Sequence, residues 1–283
     1  MPPAVTLRAI VGFRIVTANL DRLIAFYRAI GFSVGARELI AAEEMQLLGL
    51  AGAGERQALS MGESRLDLDC FAEPGCPYPP DANAADLIFQ HLALVTDNVR
   101  SALRRAAIAG ATPISRDGPI ELPQSAGGVT AVKFRDPDGH PLEFLQFPAG
   151  SNPTWPGRGM MGIDHSAISV SNIADSHRFY VDHALSEAKT SLNYGPTQVA
   201  LDGLDDVKVD VVPMNPPTMP PHVELLGYRT PVGRPHAPLA ANDLAATRIV
   251  WRAGTEALLR DPDGHLHQLM RSGRSPAGSS SPL

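Results

Sequence analysis

Two octapeptides far apart in this chain are nearly the same, and that repetition limits its architecture more than any other property. Asp136-Pro137-Asp138-Gly139-His140-Pro141-Leu142-Glu143 returns as Asp261-Pro262-Asp263-Gly264-His265-Leu266-His267-Gln268, and Phe26-Tyr27 returns as Phe179-Tyr180. Leu66-Asp67-Leu68 matches Val223-Glu224-Leu225, and at the same spacing Ala85-Asp86-Leu87 matches Asn242-Asp243-Leu244. Such a chain is a tandem duplication in which each half repeats one supersecondary plan. The copies lie 157 residues apart from Leu66 to Val223 but 125 apart from Asp136 to Asp261, so 32 residues are missing late in the second half. In the first half the corresponding stretch holds Val99 to Ala107, whose residues favour a helix. The second half passes from Arg248 to Asp261 in thirteen residues, so its last unit is expected to lack that helix.

Local patterns follow the same order in each half. Arg8 to Thr17 and Asp164 to Val170 have the β-branched content and alternation of strands. Leu20, Leu23, Ile24, Tyr27 and Ile30 fall at helical spacing after the first of these, with Asn19 or Asp21 as the start and Gly31 as the stop. Three short strands then end at Arg65 to Phe71, and a second set opens at Phe89 to Val95 and closes at Pro141 to Phe147. The pattern predicts an α+β fold built from four βαβββ modules, two per half, the fourth shortened. The expected boundaries are a first domain over residues 1–148, a Gly/Pro-rich linker over 149–162, a second domain over 163–271 and a disordered tail over 272–283.

Composition narrows the function. The 283 residues are 44% hydrophobic and 19% charged, which suits globular domains. No apolar run has the length of a membrane span, and the first residues lack the apolar core of a signal peptide, so the expected location is cytoplasmic with no membrane partner. The net charge is −6 without a basic run, which argues against nucleic acid as a partner. Cys70 and Cys76 are too few for a disulfide framework or a thiolate metal site.

The ordering of strand, Phe-Tyr helix and closing Asp-Pro-Asp-Gly-His turn, followed at its third residue by Glu143, resembles the vicinal oxygen chelate superfamily over residues 7 to 271. That superfamily includes glyoxalase I, extradiol dioxygenases, and fosfomycin and bleomycin resistance proteins. The resemblance implies half-barrel sheets made from paired modules, with metal ligands on the first and last strands of each. Those positions carry Gly12 and Asp67, then His91 and Glu143, then His165 and Glu224, then Arg248 and Gln268. Pairing neighbouring modules would mix good ligands with poor ones. Exchanged pairing, second with third and first with fourth, instead gives one complete site of His91, Glu143, His165 and Glu224, and a degenerate one of Gly12, Asp67, Arg248 and Gln268. The exchanged arrangement is therefore the expectation.

Two imidazoles and two carboxylates suit one divalent cation, whether Ni²⁺, Zn²⁺, Mn²⁺, Co²⁺ or Fe²⁺, with positions left for two oxygens of a small-molecule substrate. The expected activity is a glyoxalase-like isomerase, lyase or epimerase, with Glu143 or Glu224 as the proton carrier. Alternatives are an extradiol-type dioxygenase using Fe²⁺ and a metal-free binding or resistance protein. His222 and Tyr228, on the strand face of Glu224, and Arg248, as an anion hook or the partner of Asp67, are the candidate substrate contacts. His140 and His265 belong to turns, His177, His183 and His236 are expected at the surface, and His267 should face away from Gln268. A shortened module leaves a sheet edge that a second copy could cover, so a homodimer is expected.

Overall fold

A computed structural model describes residues 5–271, so the tail over 272–283 lies outside the described residues. The first module comprises β1 (Ala9–Val16), α1 (Leu20–Ile30), β2 (Ser33–Leu39), α2 (Ala42–Leu47), β3 (Gly54–Met61) and β4 (Ser64–Phe71). The second comprises β5 (Gln90–Thr96), α3 (Val99–Ile108), β6 (Thr112–Pro113), β7 (Ile120–Glu121), β8 (Thr130–Arg135) and β9 (Pro141–Gln146). The third comprises β10 (Met160–Ser169), α4 (Ile173–Asp182), β11 (Ser186–Glu187), β12 (Ser191–Tyr194), α5 (Pro196–Asp202), β13 (Lys208–Asn215) and β14 (His222–Thr230). The fourth has only β15 (Arg248–Ala253), β16 (Ala257–Arg260) and β17 (Leu266–Arg271). The missing residues thus cost this module a strand as well as its helix.

Asn19 starts α1 by accepting the backbone N–H of Arg22, and Gly31 ends it in the left-handed region at φ 115°, as the sequence suggested. Its buried Leu20, Leu23, Phe26, Tyr27 and Ile30 form one stripe. Asn98 and Asn172 cap α3 and α4 in the same manner.

The modules pair by exchange. One sheet has the order β16-β17-β15-β1-β4-β3-β2, joining the first module to the fourth, and the other runs β11-β13-β14-β10-β5-β9-β8-β6, joining the second to the third. The seams are antiparallel: β1 against β15, and β5 against β10. Because strand residues alternate between faces, each sheet turns one set inward to the main core and another into its own cup. The main core gathers Phe13, Phe26, Leu94, Phe144, Ile168, Leu225 and Trp251. Trp251 lies on the strand whose module has no helix, and this large, fully buried ring fills volume there.

Both repeated motifs meet in this core. The hydroxyl of Tyr27 on α1 donates to Asp136 at 3.0 Å, and that of Tyr180 on α4 donates to Asp261 at 3.4 Å. Each aspartate also accepts two backbone N–H groups of its own turn, from Asp138 and His140 or from Asp263 and His265. Each tyrosine therefore ties a helix attached to one sheet to a turn of the other. His267 faces this core, away from Gln268's cup, with Trp251 donating to its Nδ1 at 2.9 Å and the Tyr180 hydroxyl 3.1 Å from its Nε2. His183 and His236, expected at the surface, are half-buried, and the His183 ring packs on Phe179 with centroids 4.4 Å apart.

Candidate metal centre

The cup of the second and third modules brings the four strongest sequence candidates onto adjacent strands. Strand register does this: Ala167 of β10 stands opposite both His91 on β5 and Glu224 on β14, while Ala93 stands opposite both His165 and Glu143. Small alanines between the larger donors leave room for them to converge. One donor atom from each of His91, Glu143 and His165 can be chosen so that all lie within 4.8 Å of one another. His91 Nε2 is 3.2 Å from Glu143 Oε2, and His165 Nε2 is 3.8 Å from the same oxygen and 3.5 Å from Glu224 Oε2. Glu224 and His222 lie nearer the rim, with side chains 20% and 13% exposed.

Asp164 is the contributor that sequence reasoning did not single out. Its carboxylate is 3.0 Å from His165 Nδ1 and accepts the indole N–H of Trp155 at 2.7 Å. A carboxylate on Nδ1 holds one proton there, so that a cation displacing the other would meet the Nε2 lone pair in the cup. The sequence signal was the acidic residue adjoining a ligand histidine, but side chains adjacent on a strand ordinarily point apart. Here the ladder is irregular between Ile163 and His165, which lets both groups reach the same rim.

The charges suit a cation. Burial opposes protonation of His165, yet Glu224, Asp164 and Glu143 together raise its pKa to about 9. Burial pushes His91 the other way and keeps it neutral, the form a ligand needs. Despite burial, Glu224 is held down at about 2 by His165 and His222, and Glu143 is lowered by His91, Lys133 and His165. Three carboxylates around one imidazolium leave negative charge in excess, and the buried Nε2 of His165 has no hydrogen-bond partner. Both observations fit a divalent ion bound among these groups.

Deeper in the cup α5 acts as a plug. Leu201 packs with Ala93, Ala131 and Leu145, while Asp202 receives hydrogen bonds from Lys133 at 2.6 Å, Tyr228 at 2.9 Å and Gln198 at 2.8 Å. Tyr228 does share the cup with Glu224, but its hydroxyl is engaged by Asp202. Lys133 stands opposite Glu143 in the β8–β9 ladder, a buried cation that the sequence reading missed for want of any motif around it.

The first and fourth modules form the second cup, and the degenerate positions meet there. Gly12 has no side chain where the other modules have His91, His165 and Arg248, and a Cβ would lie 3.2 Å from both the carbonyl oxygen and the Cβ of Arg65. Arg248, expected to pair with Asp67, instead donates to Asp69 at 2.6 Å. Asp67 is taken by Arg65 at 2.8 Å and Arg14 at 3.4 Å, and Asp69 also binds Arg56. Arg248 therefore belongs to a buried ion network in the other cup and has no contact with the candidate metal ligands.

A model of the Glyoxalase/Bleomycin resistance protein/Dioxygenase superfamily matches residues 9–144, the first sequence half. That stretch matches the superfamily, and the whole chain shares the fold of a solved glyoxalase I. Its fold is similar over 93% of its length to 92% of glyoxalase I from Zea mays, at 13% identity and a TM-score of 0.60. It is likewise similar over 96% of its length to 87% of a proposed dioxygenase from Bacillus subtilis subsp. subtilis str. 168, at 12% identity and a TM-score of 0.58. No curated protein matches the chain. Superfamily members share this folding plan while differing in reaction, so the chemistry has to be argued from the cup itself. No helix among the described residues is long and apolar enough to cross a membrane.

Proposed function

We propose that the chain is a metal-dependent enzyme of glyoxalase type, with His91, Glu143, His165 and Glu224 holding one divalent ion. The observation that carries this is their convergence from four strands of two modules around an excess of buried negative charge. When bound, the cation would polarise a carbonyl of a small substrate that chelates it through two adjacent oxygens. Asp164 and Trp155 fix the ring of His165. Glu143, buried beside His91 and Lys133, stays ionised as an anchor. Glu224 is the better proton carrier: it sits nearer solvent, and His222 Nε2 at 3.4 Å from its Oε1 offers a route for exchange with water. The expected outcome is isomerisation, epimerisation or a lyase reaction. All four ligands come from one chain, so a second copy is not required to complete the site.

The test is elemental analysis of protein purified without a histidine tag, beside a His91→Ala, Glu143→Ala double variant. About one ion per chain, lost in the variant, is expected from a four-ligand site. Protein that stays metal-free after incubation with Fe²⁺, Ni²⁺, Mn²⁺ and Zn²⁺ would overturn the reading and favour ligand binding without turnover.

One observation favours a second reading. One cluster of donors, His91, Glu143 and His165, is two histidines and one carboxylate, the donor set of Fe²⁺ oxygenases. Oxygen uptake with a catechol after anaerobic Fe²⁺ loading would move the assignment to an extradiol-type dioxygenase.

A further inference from the structure

We infer that the second cup is a receptor for the carboxylate of an organic acid with an apolar body, and that the chain's own Glu44 now occupies it. Glu44, on α2, accepts four hydrogen bonds: one from Arg14, two from Arg56 at 2.9 and 2.7 Å, and one from Gln268 at 2.8 Å. The receiving groups are built in. Arg14, Arg56 and Gln268 are only 3–4% exposed and stand on β1, β3 and β17, whereas the Glu44 side chain is 20% exposed at the mouth. Met45 and Leu48 anchor the short helix to the apolar cluster beside it, so the Glu44 side chain can leave without unseating α2.

Among the residues lining the cleft, Gln268 keeps a buried Oε1 without a hydrogen-bond partner. Glu44 therefore satisfies its receptor incompletely. The cleft, about 440 Å³, is lined by Arg14, Arg56, Gln268 and Met270. Arg65 and Met270 also line a larger groove of about 1250 Å³, whose lining includes Gly12, Met161, Met219 and Pro220. Polar head and apolar body thus have adjoining places. Two planar guanidiniums and an amide match a planar carboxylate. Glu38, Glu43 and Glu256, which also line the cleft, disfavour a dianion such as phosphate.

The site needs no metal in the other cup, so its test is independent of the catalytic proposal. Hexanoate, hexanol and inorganic phosphate would be titrated calorimetrically into wild type, Glu44→Gln and Glu44→Gln/Arg14→Gln, with circular dichroism checking that each variant is folded. Removing the internal anion should tighten hexanoate by about tenfold or more, hexanol and phosphate should show no such gain, and Arg14→Gln should remove it. Should Glu44→Gln not fold, the comparison moves to wild type and Arg14→Gln, where hexanoate but not hexanol should raise the melting temperature of wild type alone. Hexanoate binding no better than hexanol to folded Glu44→Gln, or to wild type in the fallback, would overturn the proposal.

Discussion

The two cups share one backbone plan and differ in what stands at four matching positions. The second and third modules supply His91, Glu143, His165 and Glu224, around which negative charge is in excess. The first and fourth supply Gly12, Asp67, Arg248 and Gln268, and the cup fills with arginines neutralised by Asp67, Asp69 and Glu44. In each, a short helix between the middle strands of one module lowers an acid onto a buried cation: Asp202 onto Lys133, and Glu44 onto Arg14 and Arg56. The scaffold thus fixes where charge is presented, and the residues at strand positions decide its sign.

Four measurements would break or sharpen that comparison. The largest effect is expected from His91→Arg, which places in the first cup the residue that Arg248 supplies in the second. A guanidinium cannot ligate a cation and repels it, so metal content by elemental analysis should fall to background while the fold persists. If metal is retained, the sign of the cup is not set by this position.

Next comes Arg248→Ala. Its guanidinium is fully buried, and losing it takes one of the two guanidiniums from Asp69 and leaves a void beside the Asp69–Arg56 pair; a cost of about 3–5 kcal/mol in urea unfolding is expected, with metal content unchanged. A loss of metal in this variant would show that the cups are coupled.

Asp164→Asn should weaken metal binding by about 10–100-fold in competition with a chelator, because the amide no longer fixes the His165 proton on Nδ1. An unchanged affinity would leave Asp164 as a rim acid only.

The smallest effect concerns pH. Burial, with His265 and His183 nearby, lowers the pKa of His267 from 6.5 to about 3. The unfolded chain therefore binds a proton there that the folded chain refuses. The folded state is undisturbed above pH 6.5 and loses stability as pH falls from there toward 3, at up to about 1.4 kcal/mol per unit. Leu142 occupies the matching position of the first half, so His267→Leu should flatten that slope in acid titrations of melting temperature.

The sequence made the fold unusually legible because duplication displays each element twice. The turn aspartates, the Phe-Tyr helices and the shortened last module could all be read by matching one half against the other. The resemblance to the superfamily is what pointed to His91, Glu143, His165 and Glu224, on the first and last strands of the second and third modules. Strand alternation could not choose between Asp67 and Asp69 for Arg248, because residues two apart share a face and only the register, with Arg14 standing opposite Asp67 and Arg65 bonding it too, decides. Helices α2 and α5, six and seven residues long, were too short for a period to show, and with them went Glu44 and Asp202. Lys133 was equally hidden, in a strand where no motif surrounds it.

Exchange of modules between the sheets has one more consequence. Neither sequence half owns a complete cup, since each donates one module to each sheet. The molecule is in effect a two-subunit assembly whose subunits are joined by a short tether, and the stretch between Gln146 and Met160 raises the concentration each half experiences of the other. Cut there, the fragments would have to find one another in solution before either cup could exist, which turns an intramolecular closure into a concentration-dependent one.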